Sequence, residues 1–166
     1  RQHRLLLDAA VIRDVALDAA GLLARHIGGP SVHPYQPDGV MQLAQVKREW
    51  KVSPGDDRYR RGMYTYFWRS TPHPFLKLFD APDATRACTR RTRSNTPLQA
   101  LTLLNDAAFI ECARELASRM IAAGPADDAS RLRYAYCWRV TALTPAALRR
   151  RCCTGSPGPA NRWVVL

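Results

Sequence analysis

The clearest amphipathic pattern in the chain begins at Thr96 and ends at Gly124. Its apolar residues recur mostly at helical spacing, at Leu98, Leu101, Ala108, Ile110, Leu116 and Met120. Thr96 and Gln99 can form a capping box, and Pro97 suits the first helical position. Asn105 predicts a break, because asparagine caps the start of a following helical segment well. Gly124, followed by proline, predicts the end.

Weaker helical patterns lie on both sides of this region. Further helical segments are predicted at 5–25, 75–79, 83–88 and from Asp128 or Ser130 to Val140, with a short helical turn within 41–50. The first of them is expected to end at the Gly-Gly-Pro sequence of 28–30, because glycine and proline both stop helices. Most of the patterned sequence is therefore predicted to be helical.

Residues 58–70 carry the pattern most typical of a β-strand. Aromatic residues at 64, 66 and 68 alternate with other side chains, and aromatic residues suit a pleated surface. Before them, residues 30–57 are rich in Pro, Gly and Asp, which predicts a turn-rich connection. The predicted fold class is mainly α: a helical domain with a short aromatic β-element and long Pro/Gly-rich connections.

The length and composition of the chain limit the number of domains that it can form. A chain of 166 residues, 46% of them hydrophobic, can build one core, so a single helical domain is predicted over 1–148. Residues 149–166 lack periodicity and are predicted to form a disordered or non-native tail. No apolar run reaches about 18 residues, so no membrane span is expected. Because the sequence begins without methionine or a signal peptide, we expect a fragment of a larger protein.

The net charge, the cysteine spacing and the histidines limit which partners, cofactors and metal sites the sequence predicts. The formal charge of +11 favours anionic partners such as acidic glycans or nucleic acid, although paired or solvated arginines are the simpler interpretation. The five cysteines form neither a CxxC nor a CxxCH sequence, so neither a zinc knuckle nor covalent haem attachment is predicted, and no cofactor is expected in this chain. His33 and His73 each lie beside proline and are interpreted as separate surface histidines, so no metal site is predicted.

A cluster of basic and aromatic residues is the predicted ligand-binding site. It consists of Arg58, Arg60, Arg61, Tyr64, Arg69, Arg90 and Arg91. Guanidinium groups bind carboxylates and sulfates in bidentate fashion, which suits an acidic glycan. In the alternative interpretation, the aspartates at 56, 57, 80 and 83 pair with these arginines and tie loops to helices.

No catalytic residue is assigned. An enzyme acting on glycans would need two carboxylates facing each other, roughly 5–10 Å apart. The candidates for such a pair are Asp14, Asp80, Asp83 and Glu111. A pairing of Glu111 with Arg114 on the helix surface is the simpler interpretation. A third hypothesis is nucleic-acid binding through the basic surface, although the sequence contains no recognised nucleic-acid motif.

Five separated blocks of sequence together resemble a known family. The blocks are 12–14 (IRD), 21–32 (GLLARHIGGPSV), 58–70 (RYRRGMYTYFWRS), 79–91 (FDAPDATRACTRR) and 95–106 (NTPLQALTLLND). In this order they resemble the planctomycete-type C-terminal domain of unknown function that accompanies c-type cytochrome proteins. The resemblance covers roughly residues 4–125, and the last block is the most specific.

The resemblance implies an exported protein, periplasmic or at the cell surface. It implies an N-terminal cytochrome-like region and a companion domain, both outside this chain, so any c-type haem would lie there. It also implies a link to polysaccharide binding or breakdown. The expected function is that of an uncharacterised accessory, binding or scaffolding domain, with an acidic glycan as a candidate partner. The family offers no catalytic residues to carry over.

Overall fold

The computed structural model describes residues 6–44, 48–85, 87–124 and 126–141, and it confirms the mainly α fold class. The α-helices of this part of the chain are α1 (Ala9–Ala20), α2 (Pro74–Leu78), α3 (Pro97–Asn105), α4 (Ala107–Ala123) and α5 (Asp128–Thr141). None of them is long and apolar enough to cross a membrane. The predicted tail, 149–166, lies outside the described residues.

The chain divides into two compact units, 1–116 and 117–166. The first contains α1, α2, α3 and the start of α4. In the second, the Asp127 carboxylate accepts a hydrogen bond from the Ser130 backbone N–H at 2.8 Å and so caps the start of α5. The prediction of a single domain over 1–148 stays a prediction.

Helix α1 is shorter than its hydrophobic pattern, so the predicted end near residue 25 is wrong. Gly21 adopts a left-handed conformation with φ of 78°. The Leu22 N–H donates to the Leu17 carbonyl at 2.9 Å, and the Gly21 N–H to the Asp18 carbonyl at 3.0 Å. These two bonds form a Schellman motif, which satisfies the last carbonyls and ends the helix. Gly28 therefore turns a loop and does not terminate the helix.

The core of the first unit forms around α1. On one side, Ala9 packs with Phe75 and Leu76 of α2. Further along the helix, Leu17 and Ala20 pack with Cys112 of α4. Burying these side chains holds α1 between two helices that lie far apart in sequence.

The aromatic segment 58–70 is not the continuous strand that its alternation predicts. It forms two short 3₁₀-helices, Gly55–Tyr59 and Gly62–Tyr64, and two isolated β-bridges, from Arg60 to Ala24 and from Thr65 to Val32. The reason lies in its hydrogen bonds, which go partly to α1 side chains: the Asp14 carboxylate accepts from the Gly62 N–H at 2.6 Å. A backbone satisfied in this way does not need a partner strand.

The predicted capping box at the start of α3 is confirmed. The Gln99 N–H donates to the Thr96 hydroxyl at 3.4 Å, and the Thr96 N–H donates to the Gln99 side-chain oxygen at 3.1 Å. The predicted break is also present, but Asp106 caps α4, accepting from the Ala108 N–H at 2.9 Å. Asn105 instead donates to the Leu101 carbonyl at 3.0 Å, which satisfies the end of α3.

The helix predicted at 83–88 is absent from the described part of that segment. The Asp83 carboxylate accepts from the backbone N–H of Thr85 at 3.1 Å and from its hydroxyl at 2.8 Å. Between them, Ala84 has a φ of 54°. This is an Asx-turn, in which the aspartate side chain replaces a backbone acceptor and competes with helix formation.

Candidate functional site

Arg60, a predicted ligand-binding residue, is buried, with 2% of its surface exposed. Its guanidinium donates to the Pro30 carbonyl at 3.0 Å and to the Gly28 carbonyl, and it lies 4.1 Å from the centre of the Tyr64 ring. The Tyr64 hydroxyl in turn accepts from the Gly28 N–H at 2.9 Å. Arg60 and Tyr64 therefore hold the 28–30 loop and are not presented to a ligand.

Three other predicted arginines are engaged in ion pairs. Their partners are the residue before α1, a residue in the middle of α1 and a residue in the second turn of α4, and they differ from the aspartates proposed in the sequence. Arg58 pairs with Glu111 at 3.1 Å, Arg61 with Asp14 at 3.1 Å, and Arg91 with Asp8 at 3.2 Å. Each pair ties a loop to a helix, and the paired arginine is partly neutralised by its carboxylate.

Arg69 and Arg90 are exposed and make no ion pair with another described residue. Arg90 lies in the 87–91 loop, and Arg69 follows directly after an aromatic run. The predicted cluster therefore separates into arginines that hold the fold together and arginines that face solvent.

A group of aromatic rings forms around Tyr66, and we call His33, Trp50, Tyr66 and Trp68 the aromatic patch. His33 stacks on Tyr66 with ring centres 4.8 Å apart and planes at 19°, and it meets Trp50 edge-on at 4.7 Å. Tyr66 meets Trp68 at 5.4 Å. The alternation at 64–68 indicated part of this patch, whereas His33 and Trp50 come from a distant loop that no local pattern could connect to it.

A basic residue completes the aromatic patch. The guanidinium carbon of Arg48 lies 4.7 Å from the centre of the Trp68 ring, a cation–π contact. Tyr66 is 37% exposed, and Trp68, His33 and Trp50 are half-buried. The patch thus presents aromatic surface and positive charge together.

A cavity of about 450 Å³ lies in the first unit, a volume typical of small-molecule sites. Its walls combine apolar side chains with a few charged ones. The lining residues with charged or hydrogen-bonding side chains are Arg13, Tyr35, Arg58, Tyr59, His73, Asp106, Glu111, Cys112 and Arg114. They come from α1, the segment around Pro34, the 58–59 segment, the loops before α2 and α4, and the first two turns of α4, so the fold rather than any motif brings them together.

A hydrogen-bonded network lies at the wall of this cavity. The Tyr59 hydroxyl donates to the Glu111 carboxylate at 2.6 Å, and Arg58 donates to the same carboxylate at 3.1 Å and to the Tyr59 hydroxyl. Burial, followed by the bond to Glu111, raises the pKa of Tyr59, so the phenol stays protonated at neutral pH. The sequence-based prediction that Glu111 pairs with Arg114 is therefore wrong, because Glu111 pairs with Arg58.

The other candidate carboxylates do not line the cavity. Asp14 is bonded to Arg61 and to the Gly62 N–H, and Asp80 accepts from the Ser94 N–H and hydroxyl, each at 2.6 Å. Of the four candidates only Glu111 is a lining residue, and Asp106, which sequence reasoning missed, is a second.

His73 is buried, which corrects its interpretation as a surface histidine. It is 6% exposed, and its Nε2 lies 2.9 Å from the Tyr35 carbonyl. Since a carbonyl only accepts, Nε2 carries the proton, and Nδ1 has no hydrogen-bond partner among the described residues. Burial lowers the pKa of His73, so its ring is neutral at pH 7.

Cys112 is the buried thiol of the cavity wall, with 8% of its surface exposed. Burial raises the pKa of this thiol, which favours the protonated and unreactive form. Within the described residues, no group of three or more His, Cys, Asp or Glu side chains has a geometry that could hold a metal ion. The polar groups of the cavity lining are arginine, tyrosine, histidine, thiol and carboxylate side chains.

Acidification is expected to lower the free energy of unfolding through His73. Because its pKa is lowered in the folded chain, the unfolded chain takes up the proton first as the pH falls through about 6.5. The stability present above that pH is then lost, by at most about 1.4 kcal/mol per pH unit for one proton.

Urea unfolding from about pH 7 to about pH 5 measures this slope. In His73→Gln, whose amide can still donate to the Tyr35 carbonyl, the slope should be smaller than in the wild type. The matched control is His26→Gln at an exposed histidine, which should keep it. An unchanged slope in His73→Gln would show that another group is responsible.

Comparison with known proteins identifies the family of the chain. Residues 1–153 match the family model described as PSD1, Protein of unknown function (DUF1553). Neither the search of curated proteins nor the search of solved structures found a match. The matched residues are most of the chain and include every residue of the aromatic patch and of the cavity. The chain therefore belongs to the PSD1 family, Protein of unknown function (DUF1553).

Proposed function

We propose that this domain is a non-catalytic accessory module that binds an acidic glycan through the aromatic patch. The observation that carries the proposal is that Tyr66 contacts both His33 and Trp68, and that the guanidinium group of Arg48 lies over the Trp68 ring. Aromatic faces supply a large, rigid contact surface for a sugar ring. A guanidinium beside them can bind a uronate or sulfate group in bidentate fashion.

The larger context of the module is also a proposal. On the strength of the five sequence blocks, we propose that the domain serves an exported, polysaccharide-directed protein, periplasmic or at the cell surface. Its partners would be a cytochrome-like region and a companion domain elsewhere in that protein, and any c-type haem would belong to the cytochrome-like region. An accessory glycan-binding module would keep such a protein at its polymer.

Retention on immobilised glycans tests the proposal. The 166-residue chain is passed over a polyuronate, a sulfated glycan, a neutral glucan and duplex DNA at two salt concentrations. We expect selective, partly salt-resistant retention on one acidic glycan, because stacking is not screened by salt whereas charge attraction is. Trp68→Ala should weaken binding about fivefold to tenfold, the loss expected for one aromatic contact.

Matched variants separate recognition from charge. Arg48→Gln, at the arginine that contacts Trp68, should weaken retention, whereas Arg133→Gln, the same charge change on the exposed surface of α5, should not. Equal and salt-sensitive retention of every polyanion, DNA included, would contradict the proposal and favour a general electrostatic contact. Release of new reducing ends from the glycan would show instead that the domain is an enzyme.

A further inference from the structure

We propose that the cavity of the first unit binds a small organic acid, with Arg114 as the residue that recognises its carboxylate. The inference concerns a different site from the aromatic patch and does not depend on the glycan proposal. Three properties of the lining carry it: the charge balance, the engagement of every charged group except one, and the apolar walls.

The charge balance selects a monoanion. Arg13, Arg58 and Arg114 carry positive charge, Asp106 and Glu111 carry negative charge, and these are the charged groups among the lining residues. The cavity therefore has one more positive group than negative groups. A ligand with a single negative charge neutralises that excess. A dianion such as phosphate would carry a second negative charge that the lining does not neutralise and that the two carboxylates repel.

Arg114 is the one lining guanidinium that is not already engaged by another described residue. Arg13 donates to the carbonyls of Arg60 and Arg58, each at 2.7 Å, and Arg58 donates to Glu111. Both guanidinium groups are therefore fixed by the protein. Arg114 makes neither an ion pair nor a hydrogen bond with any other described residue, although it stands one turn after Glu111 on α4.

A guanidinium with free N–H groups presents two parallel donors, which match the two oxygens of a carboxylate. The neighbouring network of Tyr59, Glu111 and Arg58 is held together by its own hydrogen bonds. Arg114 can therefore bind a carboxylate without breaking an existing ion pair. A preorganised surrounding of this kind lowers the free-energy cost of binding.

The apolar walls determine what accompanies the carboxylate. Leu17 and Phe75 are buried side chains of the lining, and Pro34, Val52 and Phe109 continue the apolar surface. Such walls bind hydrocarbon better than a hydroxyl-rich sugar, because a sugar would leave hydroxyl groups without partners. The fitting ligand is thus a monocarboxylic acid with an apolar or aromatic body.

Calorimetric titration of the 166-residue chain tests the inference. The probes are phenylacetate, hexanoate, the uncharged phenylacetamide and inorganic phosphate. We expect saturable binding of at least one of the two carboxylates. Phenylacetamide and phosphate should each bind at least about tenfold more weakly, because a charge-assisted bidentate contact is lost or mismatched.

Two variants locate the binding. Arg114→Gln should weaken carboxylate binding about tenfold or more and leave phenylacetamide binding unchanged, whereas Arg133→Gln should change neither. Ala107→Phe, at an exposed lining position, should abolish binding of all probes by filling the cavity. Absence of saturable carboxylate binding, an unchanged affinity in Arg114→Gln, or phosphate binding as tight as carboxylate binding would each overturn the inference.

Discussion

Replacing Arg60 with leucine should destabilise the folded chain by about 3 kcal/mol, although Arg60 belongs to a cluster that looks like a ligand site in the sequence. The guanidinium is buried and donates to two carbonyls of the 28–30 loop, and its face packs on the Tyr64 ring. Leucine restores none of the hydrogen bonds, and hydrogen bonds from a charged donor are among the more valuable ones.

Urea unfolding of the wild type, Arg60→Leu and Arg69→Leu measures this difference. Arg69 is exposed, so its replacement should change the free energy of unfolding by no more than about 0.5 kcal/mol. If Arg60→Leu were equally mild and instead reduced glycan binding in a chain of unchanged stability, the structural role assigned to Arg60 would be wrong.

Replacing Gly62 with alanine should also lower the free energy of unfolding by about 3 kcal/mol, the upper end of the range for substitutions that overpack a core. A Cβ atom at this position would lie 2.9 Å from both the Cα and the carbonyl oxygen of Ala10 in α1. The obstacle is helix backbone, which cannot rotate away as a side chain can. Relief would require moving α1 away from the 62–64 segment and weakening the bond from the Gly62 N–H to Asp14.

The comparison for Gly62→Ala is Gly55→Ala, measured by the same unfolding experiment. Gly55 has open space around it but a φ of 58°, so alanine there should cost only the left-handed backbone penalty, about 1 kcal/mol. A cost at Gly62 no larger than at Gly55 would mean that α1 and the 62–64 segment pack less closely than described.

Local sequence signals predicted the helices well where the responsible atoms are close in sequence. The two residues of the capping box, Thr96 and Gln99, are only three positions apart in the chain, and the box forms as the residue types indicate. The end of α1 was missed because Gly21 lies inside a continuing apolar pattern. Nothing local distinguishes a glycine that adopts positive φ from one that is tolerated within a helix.

The candidate sites were less predictable because their partners are distant in sequence. Arg58, Arg60 and Arg61 are close neighbours in the sequence, yet their partners lie in different parts of the fold. Arg58 pairs with Glu111, Arg60 donates to the 28–30 loop, and Arg61 pairs with Asp14. Their spacing gave no information about these partners, since each arginine can pair with any carboxylate or carbonyl that the fold supplies. Tertiary packing alone separates the buried Arg60 from the exposed Arg69.

The same limit applies to the cavity. Its walls join residues of α1, the segment around Pro34 and the start of α4, which lie far apart in the chain. The histidine that lines it was interpreted as exposed because its proline neighbours indicate a loop, and loops usually lie at the surface. In this fold the Tyr35 carbonyl supplies a buried partner for the ring of His73.

The most direct measurement of the central claim, that the aromatic patch is the ligand-binding surface, is an NMR titration of the tryptophan indole N–H signals with an oligouronate. The chain has four tryptophans, so the spectrum is simple, and Trp68→Phe assigns the decisive signal. The account predicts a saturable shift of the Trp68 signal that persists when salt is raised and is absent with a neutral oligosaccharide. A Trp68 signal that stays in place while the oligouronate binds would contradict it.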